Sequence, residues 1–231
     1  MKAVFFDVDF TLIYPGPVFR GEGYRDFCAR YGIEVDPSRF EQGVAHALPL
    51  LDVPADTPYD AEIFARYTGR IIEYMGGTGP HVATAAREIY DEWATNQHFE
   101  LYDDVDPVLR AVAARGLRIG LISNSHRCLA SFASHFALEG LFTATVSSSE
   151  HGLMKPHPSI FTAALARAGV DAGDALMVGD SYRADIEGAL GAGLRAVLLH
   201  RSIDPSPHEA TLAARGVPII RSLHDLLPLV D

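Results

Sequence analysis

The stretch "AVFFDVDFT", Ala3 to Thr11, is the reading on which the fold turns. Four apolar residues, "AVFF", end in two acids one residue apart, and a threonine follows two positions later. A run this uniformly apolar suits a strand covered on both faces of a parallel sheet. Asp7 and Asp9 would then stand at its C-terminal end. In an extended segment they project to the same side, and two converging carboxylates need a cation or a shared proton.

Working outward, the same grammar recurs. Further apolar runs are "LRIGLIS" (117–123), "ATVSS" (144–148), "ALMVG" (175–179) and "RAVLLH" (195–200), with "VPII" (217–220) as an edge strand and a short last helix after it. Helical patterns lie between them at 106–115, 127–136, 158–168 and 182–192. Strands alternating with helices predict an α/β fold, a Rossmann-like parallel sheet with helices on its faces.

Residues 17–97 break this alternation. Tyr24, Phe27, Cys28 and Tyr31 form one i, i+3, i+4, i+7 stripe, and Phe40, Val44, Ala47 and Leu51 form a second that Pro49 should end early. Ile63, Phe64, Tyr67, Ile71 and Tyr74 make a third stripe; Val82, Ala86, Ile89 and Trp93 make a fourth. The expected organisation is an all-helical domain at 17–97 inserted into an α/β core formed by 1–16 and 98–231. The aromatic stripes read as bundle core.

Composition bounds the chemistry. The 231 residues carry a formal net charge of -11 and are 48% hydrophobic, enough for a substantial core. Without a Lys/Arg cluster, an acidic chain is a poor partner for nucleic acid or anionic membranes. No stretch reaches a membrane-spanning length or forms a signal-peptide core, so a cytoplasmic location is expected. Two cysteines, Cys28 and Cys128, fit a reducing compartment and leave a single disulfide open. Oligomeric state is not legible.

Four short segments fall at or just after predicted strand C-termini, where open α/β sheets bind ligands: Asp7 to Thr11, Ser123-Asn124, Lys155-Pro156, and Gly179-Asp180 with Asp185. The acids describe an oxygen-rich site for a hard divalent ion such as Mg2+. Lys155 can balance excess negative charge, and Ser123 with the backbone N–H groups of "SNSH" can donate to phosphate oxygens. Taken singly, each segment reads as a helix cap or a turn; all four in order do not.

In this order, "DVDFT", "SN", "KP" and "GDSYRAD" resemble the motifs of the haloacid dehalogenase superfamily, and "GLMKPHPSIF" and "VGDSYRADIEGALGAG" resemble its cap-bearing hydrolases. The resemblance spans the chain, with the helical insertion where that family places its small cap. It implies that Asp7 is a nucleophile forming an aspartyl-phosphate. Asp9 would protonate the leaving alcohol, activate water and offer its backbone carbonyl to metal. Ser123, Asn124 and Thr11 would bind the substrate phosphate, and Lys155 would pair with Asp7. Asp7, Asp9, Asp180 and Asp185 would surround Mg2+, with Asp185 binding directly, through water, or orienting Lys155 instead.

The implied reaction is Mg2+-dependent hydrolysis of a small phosphorylated metabolite. The family's dehalogenases lack the second acid that Asp9 supplies, and its phosphonatases use a cap lysine, whereas 17–97 contain no lysine. Sugar phosphomutase or 2-haloacid dehalogenase chemistry of the same superfamily are the alternatives, with a non-catalytic binding protein behind them. Phe10 stands where the family usually has glycine. A phenylalanine disfavours positive φ, so a negative φ is expected, with the ring packed beneath the loop or at the hinge, or else walling the leaving-group pocket. His126 and Arg183 read as rim residues; Tyr14 and Arg20 lead towards the cap. His151 and His157 flank Lys155 without a zinc spacing.

Overall fold

The computed structural model describes residues 1–231. Its strands, in chain order, are β1 (Ala3–Phe6), β2 (Ile13–Pro15), β3 (Phe99–Leu101), β4 (Arg118–Ser123), β5 (Phe142–Ser147), β6 (Ala175–Gly179), β7 (Arg195–Leu199) and β8 (Ile219–Ile220). Its α-helices are α1 (Gly21–Ala29), α2 (Phe40–Ala47), α3 (Ala61–Tyr74), α4 (Val82–Glu92), α5 (Val105–Ala114), α6 (Leu129–His135), α7 (Ser148–His151), α8 (Pro158–Ala168), α9 (Gly188–Gly191) and α10 (Glu209–Ala214). The chain divides into two compact units, Met1–Tyr14 with Leu101–Asp231, and Pro15–Glu100.

The first unit is built on a six-stranded sheet of order β5-β4-β1-β6-β7-β8, all of whose pairings are parallel. The first strand is central. Its neighbours are β4, which leads outward to β5, and β6, which leads outward to β7 and β8, so the winding changes direction beside β1. Ligands bind at such a switch point, outside the C-terminal strand ends. Register fixes which ends meet: Phe6 lies opposite Leu121 of β4 and Val178 of β6. Asp7, Ser123 and Asp180 therefore leave the sheet side by side.

Burial explains the strand sequences. All four residues of β1 and all five of β6 are buried. Phe5, Ile122, Val146 and Met177 pack with Ile160, Phe161 and Ala164 of α8 and with Ile186 in one apolar cluster. Gly120 faces Phe5 across the pair, and a Cβ there would lie 2.4 Å from the ring. The missing side chain is the space that the phenyl group fills.

Several boundaries differ from the sequence expectation for physical reasons. β5 starts at Phe142, two residues early. The helix expected from 127 starts at Leu129, because residues 124–128 form a loop that holds polar side chains at the strand ends. The 182–192 segment is a π-helical stretch, Tyr182–Glu187, followed by the single α-turn of α9. β2 and β3, too short to carry a pattern, pair as a two-stranded sheet.

The second unit is helical. Buried Tyr24, Phe27 and Cys28 of α1, Ile63, Ile71 and Ile72 of α3, and Ala85, Ala86 and Ile89 of α4 form its core. Phe19, Trp93 and Phe99 add an aromatic cluster with centroids 4.7–5.3 Å apart, and α2 gives way at Leu48–Leu51 to a 3-10 turn containing Pro49. Both cysteines are free thiols. No helix is long and apolar enough to cross a membrane.

Candidate active site

The site residues all belong to the first unit. Asp7 follows β1 and is buried; its amide donates to Val178 O of the neighbouring strand at 2.9 Å, fixing where its side chain leaves the sheet. The ammonium of Lys155 donates to Asp7 Oδ1 (2.6 Å), Asp185 Oδ1 (2.6 Å) and Ile122 O (2.7 Å). That satisfies the three hydrogens of a buried lysine. Burial alone would lower its pKa, but the charges of Asp185 and Asp7 outweigh it and raise the pKa above the ordinary lysine value. Lys155 is therefore a fixed cation.

Asp185 reaches Lys155 because the backbone at Gly179-Asp180-Ser181 lets it pass. Its other oxygen, Oδ2, accepts from Ser181 N at 3.0 Å, and Ser181 in turn caps the π-helical stretch by accepting from Ala184 N. A Cβ on Gly179 would lie 2.2 Å from Asp185 Oδ2. The glycine of "VGD" thus makes room for the buried acid.

Asp180 is the exposed member of the acidic group. Thr11 Oγ1 donates to its Oδ1 at 3.3 Å, so the structure brings Thr11 to a carboxylate. Crowding by protein raises the Asp180 pKa well above the carboxylate range, and the charges of Asp7 and Asp185 add to the rise. One carboxylate oxygen from each of these three acids lies within 4.8 Å of the others. Three carboxylates gathered this closely could hold one hard divalent cation, which would supply positive charge to the site. A bound cation would offset the repulsion among the Asp7, Asp180 and Asp185 carboxylates.

Asp9 is held by a residue that sequence reasoning placed only at a helix start. Arg127 Nη2 donates to Asp9 Oδ1 at 3.1 Å. The signal was available: a cation four residues beyond Ser123, in the loop of the strand next to β1, must fall near the acids of β1. Ser123 is buried with its Oγ 2.9 Å from Ser125 Oγ. Asn124 turns its amide to the backbone of Lys155: Nδ2 donates to Lys155 O (2.8 Å) and Oδ1 accepts from Lys155 N (2.7 Å). His151 and His157 both meet Ser159 Oγ, at 2.7 and 2.8 Å, and His157 caps α8.

Phe10 overturns the expectation made for it. Its φ is +65° and its ring is 45% exposed, so it neither takes an ordinary backbone conformation nor packs beneath the loop. The cause is the tight reversal after β1. Val8 O accepts from Leu12 N (2.8 Å) and Ile13 N (3.1 Å), and Phe10 N donates to Ile13 O (2.7 Å). Closing the chain over so few residues needs one left-handed residue. A bulky side chain pays about 1–2 kcal/mol for that, and such strain persists where surrounding bonds over-determine it.

The loop is also anchored from outside. Arg201 Nη2 donates to Thr11 O at 3.0 Å and forms a two-pronged pair with Asp104 (2.9 Å on each arm), with its guanidinium 3.7 Å above the Tyr102 ring. Asp104 further accepts from Ser222 Oγ (2.7 Å) and Leu223 N (2.8 Å). Asp104 and Arg201 carried no motif, and their partners are remote in sequence.

A sequence profile of haloacid dehalogenase-like hydrolases matches residues 1–193. The chain belongs to that family. It is 28% identical to human haloacid dehalogenase-like hydrolase domain-containing protein 3, over 91% of this chain and 86% of that one. It is 29% identical to a phosphoserine phosphatase of Thermus thermophilus, over 91% of this chain and 93% of that one. Among solved structures, a HAD phosphatase from Thermococcus onnurineus aligns over 100% of this chain and 98% of its own, with a TM-score of 0.68 at 23% identity. At that identity the likeness concerns the fold. Family membership makes the chain a hydrolase, and the acids and lysine gathered at the strand ends are its candidate machinery.

Proposed function

We propose that this hydrolase is a Mg2+-dependent phosphatase acting on small phosphomonoesters through an aspartyl-phosphate on Asp7. The observation that carries the reading is the arrangement of two acids on one loop. Asp7 is ion-paired with a buried lysine at 2.6 Å, which fixes the carboxylate at the strand end, and Asp9 stands two residues on, where a proton must be handed to the leaving alcohol and later taken from water. A carbon-attacking dehalogenase has no use for that second acid. The phosphatase names among the relatives point the same way.

In this reading Lys155 holds the Asp7 carboxylate in place and meets the transferring phosphoryl group, whose oxygens the Ser123 hydroxyl and nearby backbone N–H groups receive. Arg127 orients the Asp9 carboxylate. Asp7, Asp180, Asp185 and the Asp9 carbonyl would hold the metal, which supplies charge stabilisation of the phosphoryl oxygens when bound. The helical unit, Pro15–Glu100, is assigned the cap's task of selecting substrate, and the substrate is a small phosphorylated metabolite in the cytoplasm.

The test is p-nitrophenyl phosphate hydrolysis with and without Mg2+, in the wild type and in Asp7→Asn. Activity should require the metal and vanish with the amide. Metal-independent turnover, or full activity in Asp7→Asn, refutes the mechanism. Halide release from a short 2-haloacid, or phosphosugar isomerisation, would move the chain to another branch of its family.

A further inference from the structure

We propose that Asn124 is a positioning residue that fixes Lys155 by clamping its main chain; the kinetic part of this proposal rests on the phosphatase reading. Asn124 follows the last residue of β4, at the strand ends where phosphate is expected, and its place in the sequence makes it a candidate phosphate ligand. Its carbonyl and one amide hydrogen are instead used on the N–H and C=O of a single residue, Lys155, at 2.7 and 2.8 Å. The orientation of the amide follows from these partners, since a flip would set donor against donor and acceptor against acceptor.

The clamp solves a mechanical problem. Lys155 sits in a connecting segment between α7 and α8, not in the sheet that positions Asp7. A lysine side chain has four rotatable carbons, and an ammonium aimed at two carboxylates is only as well placed as its own backbone. Asn124 gives that backbone the pair of bonds an adjacent strand would give it. The far end of the side chain returns to the same strand, where Lys155 Nζ donates to Ile122 O at 2.7 Å. Root and tip of the lysine are thus tied to positions two residues apart at the end of β4, beside β1 and Asp7. Only a side chain with one donor and one acceptor at this length can do so: aspartate lacks the donor, serine reaches with one atom, and alanine with none.

Kinetics in Mg2+ with p-nitrophenyl phosphate test the assignment, using wild type, Asn124→Ala, Asn124→Asp, Lys155→Met and the Asn124→Ala/Lys155→Met double variant. A misplacement of the ammonium on the order of 1 Å should lower kcat about 10²-fold. KM and the inhibition constant of inorganic phosphate should change far less than kcat, because Asn124 itself is not a phosphate ligand and Lys155, though displaced, keeps its charge beside the site. In the Lys155→Met background Asn124→Ala should cost almost nothing more, the signature of two residues acting as one unit. Asn124→Asp, which keeps shape and one bond, should also lose kcat. The proposal is overturned if kcat of Asn124→Ala stays near wild type, if the two losses multiply, or if phosphate inhibition weakens in step with kcat.

A second measurement is independent of activity. The Lys155 amide, bonded to Asn124 Oδ1, should exchange slowly with solvent by NMR. In Asn124→Ala it should exchange at least about tenfold faster, while core amides such as those of Leu121 and Met177 keep their protection. Unchanged Lys155 exchange overturns the clamp. A wild type inactive on every phosphomonoester refutes the phosphatase reading instead and leaves the clamp to be judged by exchange.

Discussion

Replacing Gly179 by alanine adds one methyl group at the most crowded point behind the acids. Gly179 ends β6 in a conformation open to any residue, so the cost is one of space alone. The new Cβ would fall 2.2 Å from Asp185 Oδ2 and 2.3 Å from its Cγ. Ordinary contact requires the carboxylate to retreat by roughly 1.2 Å. It cannot do so and keep both its bonds, to Lys155 Nζ at 2.6 Å and to Ser181 N at 3.0 Å. Losing one hydrogen bond to a buried charged group costs about 1.5–3 kcal/mol. Alanine's lower chain entropy in the unfolded state returns about 0.4–1 kcal/mol. The net expectation is a loss of about 1.5 kcal/mol, which for a chain of this size lowers Tm by about 3–6 °C.

Thermal unfolding followed by far-ultraviolet circular dichroism measures this directly. Gly191→Ala is the matched control: a Cβ there meets nothing within 4 Å, and the residue is helical, so Tm should rise slightly. Because Asp185 also steadies Lys155, Gly179→Ala should lose at least about tenfold in kcat at temperatures where it is fully folded. A Gly179→Ala protein with wild-type Tm and kcat would show that Asp185 is not wedged against the strand end, and the account of how this acid is held would fail.

Three further outcomes follow from the same geometry. Hydrogen bonds from Arg201, Ser222 and Leu223 outweigh burial and hold the Asp104 carboxyl below the usual carboxylate range. A lowered pKa contributes stability above the unfolded-state value and loses it as pH falls through the folded-state value. Asp104→Asn should therefore cost about 1.5–3 kcal/mol at neutral pH, and the gap from wild type in urea melts should close below pH ~4. Phe10→Gly relieves a left-handed phenylalanine while removing a half-exposed ring; it should raise stability by about 0.5–1 kcal/mol, and a substrate panel should show re-ranked kcat/KM values. Mg2+ at millimolar levels should raise Tm of the wild type, because a ligand of the folded state stabilises it, and much less in Asp180→Asn, which removes one carboxylate of the acidic set.

What could be read in the sequence divides along a physical line. The sheet strands announce themselves because both faces are buried, so "AVFF" and "ALMVG" are apolar throughout, and the acids that end them stand out against that background. Parallel pairing then does the rest: once β1 lies between β4 and β6, Asp7, Ser123 and Asp180 have to be neighbours. The four helices of Pro15–Glu100 were legible for the same reason in another period, since stripes such as Ile63, Phe64, Tyr67, Ile71 and Tyr74 repeat at helical spacing, here along α3. β2 and β3 were not, because three-residue strands are too short to show any alternation.

The residues that sequence left silent are those whose role depends on a partner far along the chain. Arg127, Arg201 and Asp104 are ordinary charges until folding brings Arg127 to Asp9 and Arg201 to Thr11. Phe10 shows the same principle at the backbone. Side-chain preference argues for negative φ, and that preference is worth about 1–2 kcal/mol. Against it stand three backbone bonds that close Val8 to Ile13, each worth roughly 1 kcal/mol net, together with the buried Leu12 and Ile13 that the closed loop carries into the core. The sum decides against local preference. The turn does not use its left-handed residue to make a ligand. It brings Ile13 back beside Asp9 as its bridge partner, so that Leu12 and Ile13 enter the core while Asp7 stays on Lys155 and Asp9 on Arg127. A glycine would do this without strain; in this chain the turn is strong enough to hold a phenylalanine there.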